Sequence, residues 1–274
     1  MKHIEIKIST SSAEQNEILI ALLADIGFDG FEENENELKA FIHETKFNKE
    51  TLDAVASSNN NLAYTLTVIE QQNWNAQWES SFEPVVVNNF AAVRAGFHQP
   101  VKNVQHEIII TPKMSFGTGH HATTFLMMEQ MSALNFTNKS VVDFGTGTGV
   151  LAILAEKMGA SSITAIDNDD WSIENAKENI ITNNSRNILL QKAESIPLNM
   201  TYDIILANIN LNVILQNIEL IAKACKPATK ILLSGFFITD ETQIRSSLAE
   251  NSITFTSFTH QKDWICVDAK YRTG

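Results

Sequence analysis

The run "VVDFGTGTGVLAILAEKMGA", Val141–Ala160, passes from an apolar stretch of strand length, through glycines at alternate positions, into a helical pattern. Gly145, Gly147 and Gly149 let a backbone turn close to a ligand, and the helix that follows offers unpaired N–H groups at its start. Further on, "SITAIDNDD" places Asp167 at the end of a second strand. A carboxylate there can accept hydrogen bonds from both hydroxyls of a ribose, each bond worth roughly 1.5–3 kcal/mol. A tight turn that binds nothing would explain the glycines but not Asp167. The pair predicts a nucleoside-bearing cofactor.

The surrounding pattern alternates strand and helix from about residue 85. Candidate strands are Ser140–Phe144, Ser162–Asp167, Ile188–Lys192, Tyr202–Ala207 and Lys230–Gly235, separated by helical segments such as Val150–Met158 and Trp171–Thr182. That order predicts a parallel sheet with helices on both faces. The end differs, because "SITFTSFTH" and "DWICVDAKY" read as a hairpin that would add one antiparallel strand. NAD and S-adenosylmethionine both carry a ribose, so Asp167 does not choose between them. Dinucleotide enzymes favour G-x-G-x-x-G, whereas this chain has Asp143-x-Gly145-x-Gly147-x-Gly149. That spacing resembles the first motif of class I methyltransferases, and the antiparallel strand fits their seven-stranded, Rossmann-like sheet. The resemblance implies S-adenosylmethionine as cofactor, with Gly145, Gly147 and Asp167 in its site. In this fold Glu194, in "QKAESIP", stands where a polar residue often lies near the adenine; an exposed loop glutamate is the other reading. Asn208, in "ILANINLN", stands at the strand end that faces the reactive methyl group.

The first seventy residues read as βαββαβ: strand "HIEIKIS", helix "SSAEQNEILIALLADIGF", strands "FDGFEE" and "LKAFIHE", a helix near Asn48, and strand "LAYTLTVIE". Ser11 and Glu14 are spaced as a capping box. The order predicts a small ferredoxin-like α+β domain over residues 1–70. In "NWNAQWESSFEP", Trp74, Trp78 and Phe82 recur every fourth residue, which predicts a linker helix over 71–84 with one aromatic face. Pro84 stops it. Residues 85–274 form the third segment, the cofactor domain.

Charge is divided unevenly. Residues 1–83 hold 15 Asp or Glu against 5 Lys or Arg, and nearly all of the chain's net charge of −12 lies there. Such a field argues against non-specific nucleic-acid binding, which rests on Lys and Arg. It serves either as a solubility surface or as a docking face for a basic partner. The start of the sequence has no apolar signal-peptide core, and no run approaches the roughly 18 apolar residues of a membrane span. Cys225 and Cys266 are isolated in sequence and read as reduced, half-buried thiols of a cytoplasmic protein.

Three pieces, "SFGTGHHATT" (115–124), "VVDFGTGTGVLAILA" and "LANI" (206–209), together resemble the ribosomal protein L11 methyltransferases, class I enzymes that methylate lysine and α-amino groups. The linker and the small acidic domain fit that family too, so the resemblance spans essentially the whole chain. It implies ribosomal protein L11 as substrate, an N-terminal substrate-recognition domain, and a forward Gly-Thr loop that helps form the cofactor pocket. Thr124, Gly145, Asp167 and Asn208 match the family's cofactor-binding positions, Phe116 and Thr118 of the forward loop are further candidates for the cofactor site, and Asn208 is the candidate catalytic residue. Nothing in the sequence suggests a metal site, direct nucleic-acid or membrane binding, or an obligate dimer, and a monomer is expected.

The chain departs from the family pattern twice. His120-His121-Ala122 stands where Thr-His-Pro is usual, and Asn210-Leu211-Asn212 where a small residue and Gly-Pro usually follow Asn-Ile. Two other readings stay open at this level: a class I methyltransferase of RNA or a small molecule, and a catalytically silent, cofactor-binding assembly factor.

Overall fold

The computed structural model describes residues 2–34, 36–59, 62–69, 82–112 and 121–272. The chain divides into two compact units, Met1–Ser81 and Phe82–Gly274.

In the first unit the order is β1 (His3–Ser9), α1 (Ala13–Asp25), β2 (Gly30–Asn34), β3 (Glu37–His43), α2 (Lys49–Ser58) and β4 (Tyr64–Ile69). The strands form one sheet, β2-β3-β1-β4, with every neighbouring pair antiparallel. Period-two alternation sends Ile4, Ile6 and Ile8 of β1 to one face, opposite Ile42, Ala40 and Leu38 of β3. Leu19 and Leu23 of α1 and Leu52 of α2 close over them. Each such side chain contributes roughly 1.5–3 kcal/mol on burial.

The α1 cap lies one residue later than the sequence spacing suggests. Ser12, not Ser11, is the N-cap, accepting from the Gln15 N–H at 3.2 Å. Gln15 Oε1 then reaches back to the N–H (2.9 Å) and hydroxyl (3.0 Å) of Ser11. Consecutive serines offer the same three-residue spacing, and the later register satisfies two donors with one oxygen.

In the second unit β5 (Val85–Val87), β6 (Ala91–Ala95) and β7 (His106–Ile110) form a separate three-stranded sheet, antiparallel then parallel. Simple strand–helix alternation from residue 85 is therefore corrected over this stretch. Most of the expected linker helix lies outside the described residues, including Trp74 and Trp78. Its last three residues, Phe82, Glu83 and Pro84, are not helical. Pro84 disfavours helical backbone at the residue before it, and the Phe82 ring stacks 6.0 Å from His98.

There follow α3 (Ala122–Met131), β8 (Ser140–Phe144), α4 (Val150–Lys157), β9 (Ser162–Asp167), α5 (Asp170–Thr182), β10 (Ile188–Lys192), β11 (Tyr202–Asn208), α6 (Leu211–Lys223), β12 (Cys225–Phe237), α7 (Glu241–Glu250), β13 (Ile253–Gln261) and β14 (Trp264–Tyr271). The main sheet runs β10-β9-β8-β11-β12-β14-β13. Its first five strands are parallel, and β14 lies antiparallel to both of its neighbours.

Both faces of the main sheet are apolar, so adjacent residues on a strand feed opposite cores. Val141, Ile204 and Leu232 join α3, α4 and the small sheet on one side. Val142, Ile205 and Ile231 meet α6 and α7 on the other. The two cysteines are free and buried rather than half-buried, because each sits within these cores. Burial pushes the Cys225 thiol up to about 12 and raises Cys266 further. No helix among the described residues is long and apolar enough to cross a membrane.

Candidate active site

The carboxyl ends of the parallel strands open onto one cavity of about 1150 Å³, where a sheet of this kind leaves its crevice. Thr124, Gly145, Gly147, Asp167, Glu194 and Asn208 all line it. Sequence positions more than eighty residues apart are thus brought to one place. Phe116 and Thr118 lie outside the described residues.

The glycine loop is braced from beneath by Asp143. This side chain is fully buried, and its Oδ2 accepts from the Thr146 hydroxyl at 2.6 Å and from the Ala152 N–H at 3.2 Å. Ala152 lies in the first turn of α4, so the carboxyl caps an otherwise unpaired helix donor. Burial pushes Asp143 up to about 7; the bonds from Thr146 and Ala152 pull it back, and the Asp167 charge adds to the rise.

Gly145, Gly147 and Gly149 all take positive φ, 75°, 54° and 81°. At Gly145 a Cβ would also run into the Ile209 Cγ2 methyl. Asp167 ties this loop to the next strand: its Oδ2 accepts from the Gly147 N–H at 2.9 Å, and its Oδ1 from the Asp169 N–H at 3.1 Å. Each oxygen keeps a lone pair for a ribose hydroxyl.

Across the cavity, Asn208 ends β11 and donates Nδ2 to the Thr124 hydroxyl at 3.2 Å. The next turn is locked in place: Ile209 N–H donates to the Ser234 carbonyl at 3.1 Å, and Asn210 caps α6 by accepting from the Val213 N–H at 3.1 Å. The unusual Asn210 thus serves as a helix cap. His121 caps α3, with Nδ1 2.8 Å from the Thr123 hydroxyl. Its ring meets Trp264 edge-on at 4.6 Å, and Trp264 packs on Phe237 at 4.2 Å.

Gly235, Trp171 and Trp264 also line the cavity, and sequence reasoning did not single them out. Gly235 has φ 98°, and a Cβ there would lie 2.6 Å from the Ile209 carbonyl carbon and 2.8 Å from its nitrogen. A glycine interrupting the apolar run "ILLSGFF" was its signal. Trp264, at the start of a strand in a remote hairpin, gave none. Among the described residues no group of three His, Cys, Asp or Glu side chains converges as a metal site.

A doubly covered sheet with one antiparallel strand, a braced glycine loop, an acid on the adjoining strand end and a polar Asn at β11 defines a class I, S-adenosylmethionine-dependent methyltransferase. The donor set suits that cofactor, offering a carboxylate for its ribose, helix-start N–H groups for its carboxylate, and apolar wall from Val150, Leu151 and Ile209. The family model "Ribosomal protein L11 methyltransferase (PrmA)" matches residues 3–272, and the chain belongs to that family. The ribosomal protein L11 methyltransferase of Phocaeicola vulgatus is 34% identical, covering 97% of this chain and 98% of its own. That of Chlorobaculum parvum is 37% identical, covering 96% and 94%. The crystal structure of the ribosomal protein L11 methylase from Lactobacillus delbrueckii subsp. bulgaricus superposes with a TM-score of 0.65 at 29% identity, covering 70% of this chain and all of that one.

Proposed function

We propose that this S-adenosylmethionine-dependent methyltransferase modifies amino groups, on lysine side chains or the N-terminus, of ribosomal protein L11. The observation that carries the reading is the Asn208–Thr124 hydrogen bond at the cavity. With Nδ2 engaged by Thr124, the Asn208 amide presents Oδ1 as an acceptor for an incoming amine N–H, and the nitrogen lone pair stays free to attack. When bound, the cofactor supplies a sulfonium-activated methyl group for in-line displacement.

The amine must be neutral. A lysine of pKa ~10.4 is neutral in roughly one molecule in a thousand at pH 7.4, a cost of about 4 kcal/mol. Desolvation against Trp264 and Ile209 and alignment by Asn208 offset that cost, and water takes the proton. On the cofactor side we assign Gly145, Gly147 and Asp167 to the ribose end, Glu194 to the adenine end, and Thr124 with the forward loop residues Phe116 and Thr118 to the methionine end.

The division of labour follows the chain. The antiparallel β2-β3-β1-β4 order with α1 and α2 supports a ferredoxin-like domain over 1–70, and its acidic surplus supports substrate recognition by attraction to a basic protein. Residues 71–84 serve as linker, and 85–274 as the Rossmann-like catalytic domain. The buried free thiols support a cytoplasmic setting, and a monomer suffices for the chemistry because Asn208, Thr124 and Asp167 line one cavity of a single chain.

The test is transfer from S-adenosylmethionine to purified ribosomal protein L11, read by intact mass and peptide mapping. Methyl groups on lysine or the N-terminal amine are expected. Cofactor binding with no transfer to that protein would overturn the substrate reading.

A further inference from the structure

Three asparagines, two in α5 and one at its C-cap, act on the edge of β7 as a neighbouring strand would. Asn175, Asn179 and Asn183 recur every fourth residue and share one helix face. Asn183 exchanges two bonds with Ile109: its Oδ1 accepts the N–H at 3.0 Å, and its Nδ2 donates to the carbonyl at 2.6 Å. Two residues along the same edge, the Thr111 N–H donates to Asn179 Oδ1 at 2.8 Å, and the Thr111 carbonyl accepts from Asn175 Nδ2 at 3.1 Å.

Asn179 does more than pair with an edge. Its Nδ2 donates at 2.8 Å to the carbonyl of Thr148, between Gly147 and Gly149. One fully buried amide therefore joins the end of β7 to the glycine loop. His121 and Thr124, further along the chain, line the same cavity as the glycine loop. The same helix begins just after Asp167, whose carboxylate already holds the Gly147 N–H. The loop is thus gripped at Gly147 by the acid before α5 and at Thr148 by an amide within it.

We propose that Asn179 is a positioning residue for the cofactor site, setting the glycine loop in register with the end of β7. The position needs an acceptor for the Thr111 N–H and a donor for the Thr148 carbonyl on one short side chain, which Asn supplies. Leucine would remove both of these bonds at once. Aspartate would keep the bond to Thr111 but turn an oxygen toward the Thr148 carbonyl. Asn183 makes a built-in comparison, since its side chain bonds Ile109 and the helix's own Asn179 carbonyl rather than the glycine loop.

The inference rests on the cavity being the S-adenosylmethionine site. Its test uses the full-length protein and the variants Asn179→Ala, Asn179→Asp and Asn183→Ala, each followed by thermal melting and by titration with S-adenosylmethionine well below its own Tm. Asn183→Ala should lower Tm and leave the cofactor Kd within about twofold of wild type. Asn179→Ala should weaken cofactor binding about tenfold, through loss of the bonds that join Thr111 to the glycine loop, and raise the cofactor KM with little change in kcat. Should Asn179→Ala not fold, the same-sized Asn179→Asp carries the test, with the same expected loss. Folded Asn179 variants with wild-type Kd would overturn the inference alone. A wild-type protein that fails to bind S-adenosylmethionine would overturn the cofactor reading beneath it as well.

Discussion

Asn208 donates its side-chain amide to the hydroxyl of Thr124 at 3.2 Å, joining the end of β11 to the first turn of α3. The bond makes two distant stretches of sequence into one device. Thr124 is nearly fully buried and held by its own N–H on the His121 carbonyl at 3.0 Å, so it is a rigid anchor. An amide anchored at its nitrogen has its oxygen placed, and a placed acceptor can orient an amine without taking part in covalent chemistry.

The turn after Asn208 depends on two glycines in different ways. Both sit at positive φ, where an L side chain costs about 1–2 kcal/mol. Alanine at 145 additionally meets the Ile209 side chain, whereas alanine at 235 meets the Ile209 backbone. Combining Gly145→Ala with Ile209→Ala should recover part of the lost stability, while Gly235→Ala with Ile209→Ala should recover none. A double-mutant cycle by denaturant unfolding measures both; equal coupling in the two pairs would contradict the geometry.

Asp143 makes stability depend on pH in a specific direction. Its folded-state pKa is raised to about 7 from 3.8, so the native protein holds a proton that the unfolded chain releases. Between about pH 4 and 7 stability from this group therefore falls as pH rises. Asp143→Asn lacks that titration and keeps an oxygen for Thr146 and Ala152. The Tm of the variant minus that of wild type should rise from pH 4 to 7 and level off above. A difference that is constant across the window would show that Asp143 is ionised when folded.

The acidic excess of residues 1–83 should reveal itself in salt dependence. Charges on exposed surfaces are screened beyond about 10 Å at 0.1 M salt. Raising salt to about 0.5 M should increase the KM for ribosomal protein L11 several-fold and barely change the cofactor Kd. Equal responses in the two constants would remove electrostatic docking from the account.

The glycine loop, Asp167 and Asn208 were legible because each stands at a strand end in a short local pattern, and strand ends of such a sheet converge by topology. Gly235 and Trp264 join the same cavity through β12 and a hairpin, contacts that no local spacing encodes. The three strands of residues 85–110 escaped for a related reason: Val85–Val87 is too short for a periodic signal, and Ala91–Ala95 is buried at every position, so neither alternates. The α1 cap slipped by one because Ser11 and Ser12 are chemically equivalent in sequence, and only the reach of Gln15 separates them. The asparagines of α5 look like ordinary polar helix residues until β7 is laid against them.

On this reading Asn208, which also lines the cofactor cavity, acts chiefly by orienting the amine. Single-turnover methyl transfer by Asn208→Ala, with S-adenosylmethionine affinity measured on the same preparation, tests it directly. The transfer rate should fall by about a hundredfold, with the cofactor Kd within about threefold of wild type. A parallel loss of affinity and rate, or an unchanged rate, would contradict it.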